Sequence, residues 1–431
     1  MKAMKRAHTK TPMSLGMILN LASLGFLAVA GLFLNFAIAR YYGEEALGLF
    51  NMAFAVYIFA SQFGSLGIHF SVLQSVSAFD TADQAVVDRA VTSGIVGTLI
   101  TSTAAVFLCL PLVPLLGYVY GDRAEGIGDA VLAILPGLWA FSINKTLFSA
   151  INGAQHMATF AGLQALRYLL LLACFAGFVV WDVNSVYLAG VFSIAELLLM
   201  PILLFFSNRV VGRWSFEGLR QGLKQHASFG GRVFLSGAMM ELNTRVDVLM
   251  IAFFIDAAAS GIYSVAALVA EGAGQAIFAV RNNFNPIIGR MVARREFSEL
   301  FRLSRRSALL FTPFMVAVSL IAWAAYPMFS RIAFNNDNFL AAGVPLVILL
   351  SGLTLSGAFM IFSMIFTQAG RPAVHTGFVM TNLLVNISLN LALIPSFGIE
   401  GAAFATALSY IISSLMLVFL SRAVLGVRLV F

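Results

Sequence analysis

Apolar segments of about 20 residues recur along the whole chain, and this pattern limits the fold more than any other feature. The 431 residues are 60% hydrophobic and only 10% charged, values that fit no class of soluble globular protein. The bilayer core holds no water to pair with backbone N–H and C=O groups, so an apolar segment of this length crosses it as an α-helix. The sequence therefore predicts an all-α integral membrane protein.

The apolar pattern predicts twelve transmembrane helices in two six-helix lobes. Short connections rich in Gly, Pro, Asp or Asn separate most of them, and two connections, 208–227 and 289–303, are longer and basic. We assign 208–227 as a cytoplasmic linker between an N-terminal lobe, 1–207, and a C-terminal lobe, 228–431. The predicted helices span 15–39, 47–78, 90–118, 127–152, 158–181, 184–207, 228–254, 259–288, 304–332, 341–368, 373–395 and 400–422.

The two halves of the chain carry a weak internal repeat. Gly48 and Gly261 stand in matching segments, and the difference between these positions, 213 residues, is close to half of the chain length. Ile38 matches Ile251 at the same spacing. Chance supplies some of these matches in a chain rich in Ala, Gly and Leu. The repeat predicts two related helix bundles around a shared central cavity.

The distribution of Lys and Arg predicts the orientation of the chain in the membrane. Most of the 26 basic residues fall in the N-terminal segment, in the two basic connections and in the other connections on that side. Arg40 and Arg123 fall in connections on the opposite side, together with several acids. Because basic residues accumulate on the cytoplasmic side, we expect both termini to be cytoplasmic, which agrees with an even number of helices.

The stretch from Ser228 to Tyr263 opens the second half of the chain, and the charged residues Arg232, Glu241, Arg245 and Asp247 lie within its apolar part. A charge at membrane depth costs about 2.5–3.5 kcal/mol or more, so such residues usually face a cavity lined by protein or filled with water. At a rise of about 1.5 Å per residue, five further charges fall within the predicted helices and away from their ends. The cations of the whole set are Lys145, Arg167, Arg232, Arg245 and Arg281, and the acids are Glu196, Glu241, Asp247 and Glu271.

These charges are sorted by predicted depth. Four cations lie in the cytoplasmic half of their helices, whereas Glu196, Glu241, Glu271 and Arg245 lie near the midplane. A group of cations favours an anionic head group that enters from the cytoplasm, and Arg is suited to phosphate. Midplane carboxylates favour coupling to a gradient of H⁺ or Na⁺. The five cations and four acids argue against a cationic substrate.

Internal neutralisation is the alternative explanation for the same charges. Buried ion pairs fix the register of helices without binding a ligand. Arg245 follows Glu241 by one helical turn, so these two residues are able to pair. Asp247 lies on another side of the helix and is expected to have a different neighbour. Sequence alone leaves both explanations open for each residue.

Several classes of function lack their characteristic motifs. The chain has no phosphate-binding loop of nucleotide hydrolases, no spacing of metal ligands and no arrangement typical of a nucleophilic enzyme. We therefore predict a transporter rather than an enzyme, with no cofactor. An integral-membrane glycan polymerase is the enzyme alternative, and the outer connections are too short for its usual site. The net charge of +7 arises from the cytoplasmic segments, so it does not indicate nucleic-acid binding.

Three segments resemble a known family. They are 39–50, which closes the first helix and opens the second, its second-half counterpart 247–266, and 393–406 near the end of the chain. They are similar to segments of the polysaccharide (Wzx-type) flippases, whose superfamily also contains the multidrug and toxin extruders and the lipid II flippases. The resemblance covers the whole chain in helix number and loop position, although each motif is loose.

The resemblance implies two six-helix lobes that form a V around a central cavity. It implies a bacterial inner-membrane protein that moves an undecaprenyl-diphosphate-linked oligosaccharide from the inner to the outer leaflet. The product is O-antigen, lipopolysaccharide or exopolysaccharide, and the partners are the bilayer, the lipid-linked glycan and the polysaccharide polymerase or export machinery.

Two relatives remain as alternatives. Drug extruders often carry a cation-binding acid in the first helix, whereas this chain has no charge between Leu15 and Ala39. Lipid II flippases carry arginines in the first lobe and often have more than twelve helices. Here the first lobe offers only Lys145 and Arg167, which favours a surface or secreted glycan over lipid II.

Overall fold

A computed structural model describes residues 13–78, 84–334 and 336–429, whose regular structure is entirely helical. The α-helices are α1 (Met13–Ser65), α2 (Ile68–Ala78), α3 (Gln84–Cys109), α4 (Leu112–Tyr120), α5 (Ile127–Gly153), α6 (Met157–Val180), α7 (Gly190–Val210), α8 (Leu219–Phe254), α9 (Ala257–Ala293), α10 (Phe297–Ala333), α11 (Gly343–Met360), α12 (Ile365–Gln368) and α13 (Pro372–Leu425). Short 3₁₀ helices occur at Gly121–Ala124, Ser185–Tyr187 and Asp337–Ala342.

Two of these helices are bent at a glycine. Gly43 in α1 has φ +85° and Gly398 in α13 has φ +60°, a left-handed conformation that glycine adopts without the steric cost of a side chain. Each bent helix therefore supplies two long segments, and the eight other long helices complete the predicted set of twelve. The predicted all-α class with twelve transmembrane segments is confirmed.

Nine of the described helices are long and apolar enough to cross a membrane, and the two bent helices are among them. Among the long helices of the described part of the chain, α8 is the one whose sequence is too polar to meet this criterion. The reason lies in its sequence, which places Arg232, Glu241, Arg245 and Asp247 in one helix.

The chain forms two compact units. The first contains the described residues up to Leu34, Val56–Tyr118 and Gly126–Ala238, and the second contains Asn35–Ala55, Val119–Glu125 and the described residues from Met239 onwards. In the first unit, α5 packs against α2, α3 and α7; in the second, α11 packs against α9, α10 and α13. The boundaries 1–207, 208–227 and 228–431 stay predictions.

The segment 208–227 packs against α3 in the first unit. The Arg89 side chain donates a hydrogen bond to the carbonyl of Glu217 over 3.0 Å, and the Ser215 N–H donates to the hydroxyl of Thr92 over 2.8 Å. The segment becomes helical at Leu219, nine residues before the predicted start at 228. Gly218, at φ +68°, ends the preceding turn, and no proline follows it in α8.

The sequence repeat reappears as a contact within the second unit. A Cβ atom at Gly48 would overlap the carbonyl oxygen of Ala257, and a Cβ atom at Gly261 would overlap the carbonyl oxygen of Glu44. Residues 44 and 257 are separated by 213 positions, as are 48 and 261. Gly48 contacts Ala257, and Gly261 contacts Glu44, the repeat counterpart of Ala257. The two contacts are therefore related by the sequence repeat.

Candidate functional site

The second unit contains a cavity of 450 Å³ lined by α8, α9, α11, α13 and the turn before α12. This volume lies within the range of about 300–1,000 Å³ that is usual for small-ligand sites. Among the described residues, the charged side chains of the lining come from α8 and α9, and all five belong to the predicted set: Glu241, Arg245, Asp247, Glu271 and Arg281.

Arg245 pairs across to α9. Its Nη1 atom lies 3.5 Å from Oε1 of Glu271, and its guanidinium lies over the ring of Phe54 at 5.5 Å from the centroid. The two side chains keep 23% and 40% of their surface exposed, so the pair is accessible from the cavity. The sequence allowed Arg245 to pair with Glu241, one turn earlier, but in the structure Arg245 pairs with Glu271 instead. Glu241 lines the same cavity and makes no ion pair with the described residues.

Asp247 is held by α9 on the other side of α8. The Tyr263 hydroxyl donates a hydrogen bond of 2.6 Å to Oδ2, and the Val248 N–H donates one of 2.9 Å to Oδ1. Both side chains are buried. Since two donors already satisfy the carboxylate, Asp247 is fixed in position more firmly than Glu241.

Arg281 differs from Arg245 because no carboxylate of the described chain pairs with it. Its guanidinium lies over the ring of Phe278 at 4.5 Å, and its buried Nε atom has no hydrogen-bond partner among the described residues. A guanidinium in this state retains its donors for a bound anion. Arg281 is therefore the cavity cation best placed to bind a ligand.

The part of the lining that α13 contributes is polar but uncharged, and we did not predict it from the sequence. Asn382 and Asn386 stand one turn apart in the first half of α13, and hydroxyl groups follow a similar spacing in its second half. This spacing of polar residues within an apolar helix is the signal that identifies such a wall. Its polar residues on α13 are His375, Asn382, Asn386, Thr406, Ser409, Tyr410, Ser413 and Ser414.

Glu196 and Arg167 form a separate ion pair inside the first unit. Nε of Arg167 lies 2.5 Å from Oε1 of Glu196, and the Asn144 amide donates to Oε2 over 2.8 Å. Glu196 is completely buried, and Arg167 lies over the Phe141 ring at 4.5 Å. For these two residues the structure shows internal neutralisation.

The two remaining predicted residues also belong to the first unit. Nζ of Lys145 donates to the Ser61 hydroxyl over 2.9 Å and lies 4.7 Å from the Phe141 ring centroid. Arg232 is exposed, and its Nε donates to the carbonyl of Ser228 over 3.1 Å. The structure thus brings five of the nine predicted residues to one cavity and leaves Lys145, Arg167, Glu196 and Arg232 elsewhere.

A sequence model described as polysaccharide biosynthesis protein matches residues 16–292. The chain belongs to this polysaccharide biosynthesis family. The match extends over the first unit and over both helices that carry the charged residues of the cavity. It confirms the family resemblance of segments 39–50 and 247–266. A comparison with curated proteins gives no match.

Solved structures share the fold of this family member. A lipid II flippase, MurJ, in an inward closed conformation has a TM-score of 0.74 at 16% identity, over 94% of this chain and 87% of its own. An inward-facing multidrug-resistance MATE family transporter of the MOP superfamily has a TM-score of 0.79 at 13% identity, over 95% and 98%. The Vibrio cholerae MATE transporter VcmN has a TM-score of 0.64 at 19% identity, over 95% of both chains. These likenesses establish the fold.

Proposed function

We propose that the chain is a flippase that moves an undecaprenyl-diphosphate-linked oligosaccharide from the inner to the outer leaflet of the bacterial cytoplasmic membrane. The observation that carries the proposal is Arg281, a cavity guanidinium that no carboxylate of the described residues pairs with. Guanidinium groups bind phosphate oxygens in a bidentate manner, and a diphosphate offers several such oxygens. Family membership supports a glycan as the rest of the substrate.

Arg245 supplies the second cation and a link to an ion gradient. Its pairing with Glu271 at 3.5 Å is accessible from the cavity, so a bound diphosphate competes with Glu271 for this guanidinium. When Arg245 turns to the diphosphate, the Glu271 carboxylate is left to take up H⁺ or Na⁺. A ligand shifts a conformational equilibrium only through differential affinity for the two states. Because diphosphate and ion both act on the Arg245–Glu271 pair, each is able to change the binding of the other. Glu241 and Asp247 are further coupling candidates in the same cavity.

Orientation and partners belong to the same proposal. The exposed Arg294 and Arg295 of the α9–α10 connection suit the anionic cytoplasmic leaflet, and this supports a cytoplasmic position for both termini. A polysaccharide polymerase or export machinery then takes the flipped unit on the outer side, for surface or secreted polysaccharide such as O-antigen, lipopolysaccharide or exopolysaccharide.

Reconstitution tests the flippase proposal. Proteoliposomes are loaded with a fluorescent undecaprenyl-diphosphate glycan, and its movement between leaflets is followed by quenching from outside. We expect Arg281→Ala to reduce translocation at least tenfold and Arg281→Lys to retain part of it, because Lys offers a charge without the bidentate fork. Arg295→Ala, an exposed arginine outside the cavity, is the matched control. Wild-type rates in Arg281→Ala would refute the assignment of Arg281 to the diphosphate.

A cation antiporter is the second candidate, and the composition of the cavity favours it. The excess of cations expected from the sequence does not hold there, because the lining has three carboxylates, Glu241, Asp247 and Glu271, and two arginines. The same vesicles, loaded with a lipophilic cation, measure this activity. Cation efflux without glycan movement would replace the flippase proposal, and movement of lipid II alone would replace the glycan with the peptidoglycan precursor.

A further inference from the structure

The cavity of the second unit has two chemically different walls. Its charged groups lie on α8 and α9, whereas α13 contributes amide, hydroxyl and imidazole groups and no charged carboxylate, ammonium or guanidinium. A substrate that joins a charged diphosphate to an uncharged glycan is divided in the same way, into one charged and one uncharged polar part.

The bend at Gly398 brings both halves of α13 to this wall. Asn382 lies 16 residues before the bend and Ser413 lies 15 residues after it. At about 1.5 Å per residue these two positions fall at nearly the same distance from the bend. Ser409 precedes Ser413 by one turn, and Tyr410 stands between them with its ring in the lining. The wall thus combines an amide, two hydroxyls and an aromatic ring.

Part of the hydrogen-bonding capacity of this wall is unused. Oδ1 of Asn382 and Oγ of Ser409 are buried and have no hydrogen-bond partner among the described residues. Ser409 is 1% exposed. Asn386, by contrast, already accepts a hydrogen bond of 2.9 Å from the Asn390 amide. A buried polar atom without a partner is destabilising, so a hydrogen bond from a polar occupant would stabilise Asn382 and Ser409.

We propose that Asn382, Ser409 and Ser413, with the ring of Tyr410, bind the sugar hydroxyls of the lipid-linked oligosaccharide, while Arg281 binds its diphosphate. The inference rests on the proposed flippase function and adds the part of the site that recognises the glycan. Amide and hydroxyl groups both donate and accept hydrogen bonds, which matches the hydroxyl groups of a sugar. A site built to hydrogen-bond a hydroxyl rejects an analogue that lacks it, so this wall sets glycan specificity.

Binding measurements with two lipids distinguish the roles of the two walls. Undecaprenyl-diphosphate glycan and sugar-free undecaprenyl diphosphate are each titrated against the full-length protein in nanodiscs. We expect Asn382→Leu, which keeps the size but removes the amide, to weaken binding of the glycan lipid about tenfold, or about 1.4 kcal/mol. Binding of the sugar-free lipid should change less than about twofold by the same measure. Arg281→Ala should weaken both lipids.

Further variants make each outcome decisive. Ser413→Ala removes one oxygen atom and tests the wall if Asn382→Leu fails to fold. Asn283→Leu is the matched control, because Asn283 is exposed on α9, bonds to the carbonyl of Ala279 and lies outside the lining. If both α13 variants bind the glycan lipid as tightly as wild type, or lose both lipids equally, the sugar assignment is refuted and the flippase proposal stands. If wild type binds neither lipid, both proposals fall.

Discussion

The Asn336 amide donates a hydrogen bond of 2.6 Å to the carboxylate of Glu44 within the second unit. Asn338 donates to the other oxygen of the same carboxylate over 2.8 Å. Arg40, one turn before Glu44, donates to the carbonyl of Ile332 over 2.9 Å. These bonds attach the bend of α1 to the connection between α10 and α11.

Glu44→Ala removes both amide contacts to the carboxylate. Because the site is partly exposed, we expect a loss of about 1 kcal/mol in the free energy of unfolding. Thermal unfolding in detergent measures the stability, and labelling of a cysteine placed at the exposed position Ala341 measures the release of the connection. Glu45→Ala is the control, since Glu45 is exposed and has no recorded partner among the described residues. Equal melting of the two variants would contradict a stabilising role for Glu44.

The buried pair in the first unit predicts an asymmetric response. Arg167→Ala leaves the Glu196 carboxylate buried without its cation and should cost about 3–5 kcal/mol, whereas replacing both residues by apolar ones of similar volume should restore much of the loss. Chemical unfolding of Arg167→Ala, Glu196→Leu and Arg167→Met/Glu196→Leu measures this coupling. Additive losses in the double variant would show that the two charges do not depend on each other.

The pair in the cavity predicts an effect on transport instead. Glu271→Gln replaces the carboxylate that pairs with Arg245 by an amide, which is neutral at every pH and binds neither H⁺ nor Na⁺ as a carboxylate does. We therefore expect translocation to continue but to become independent of an imposed proton or sodium gradient. The reconstituted flippase assay, run with and without each gradient, measures the dependence. Glu299→Gln, at an exposed position of α10, serves as control. A gradient effect of wild-type size in Glu271→Gln would exclude Glu271 as the coupling acid.

His226 predicts a pH dependence of stability. It lies before the predicted span that starts at 228, and its ring contacts Ser71, Ser93 and the carbonyl of Ala90. Burial lowers the pKa of His226 from its usual 6.5, because removal from water disfavours the charged imidazole in the folded chain. Below about pH 6.5 the unfolded chain binds more protons, and the free energy of unfolding therefore decreases as pH falls; above it this contribution is retained in full.

Unfolding titrations between pH 5 and pH 8 check this prediction, in a range around the usual pKa of His, about 6.5. His226→Asn should flatten the dependence of the free energy of unfolding on pH. A slope that persists in His226→Asn would assign the effect to another group.

The sequence predicted the helices well because each depends on a local property, the length of its apolar run. It also identified the charges of the cavity, since a charge inside an apolar run stands out. It did not predict their partners. The spacing within α8 relates Arg245 to Glu241, but Glu271 reaches Arg245 from α9, and tertiary packing alone determines that approach.

Two further differences have the same origin. Arg232 lies nine residues from Glu241, about two and a half helical turns, so the two residues face opposite sides of α8. Predicted depth placed Arg232 with the cavity cations, although depth contains no information about the side of the helix. Asn382 and Ser413 were missed because a neutral polar residue disturbs the apolar pattern too little to be noticed. Their common wall exists only once α13 folds back at Gly398.

The reciprocal contact of Gly48 and Gly261 has a consequence for divergence between the two halves of the chain. Each glycine accommodates a backbone carbonyl that belongs to the other half of the repeat. A methyl group gained at either position would collide with main chain, which no change of a neighbouring side chain can relieve. Elsewhere the two halves are free to acquire different sequences, as the charged α8 has done. At this contact, the backbone of each half restricts the other half to glycine.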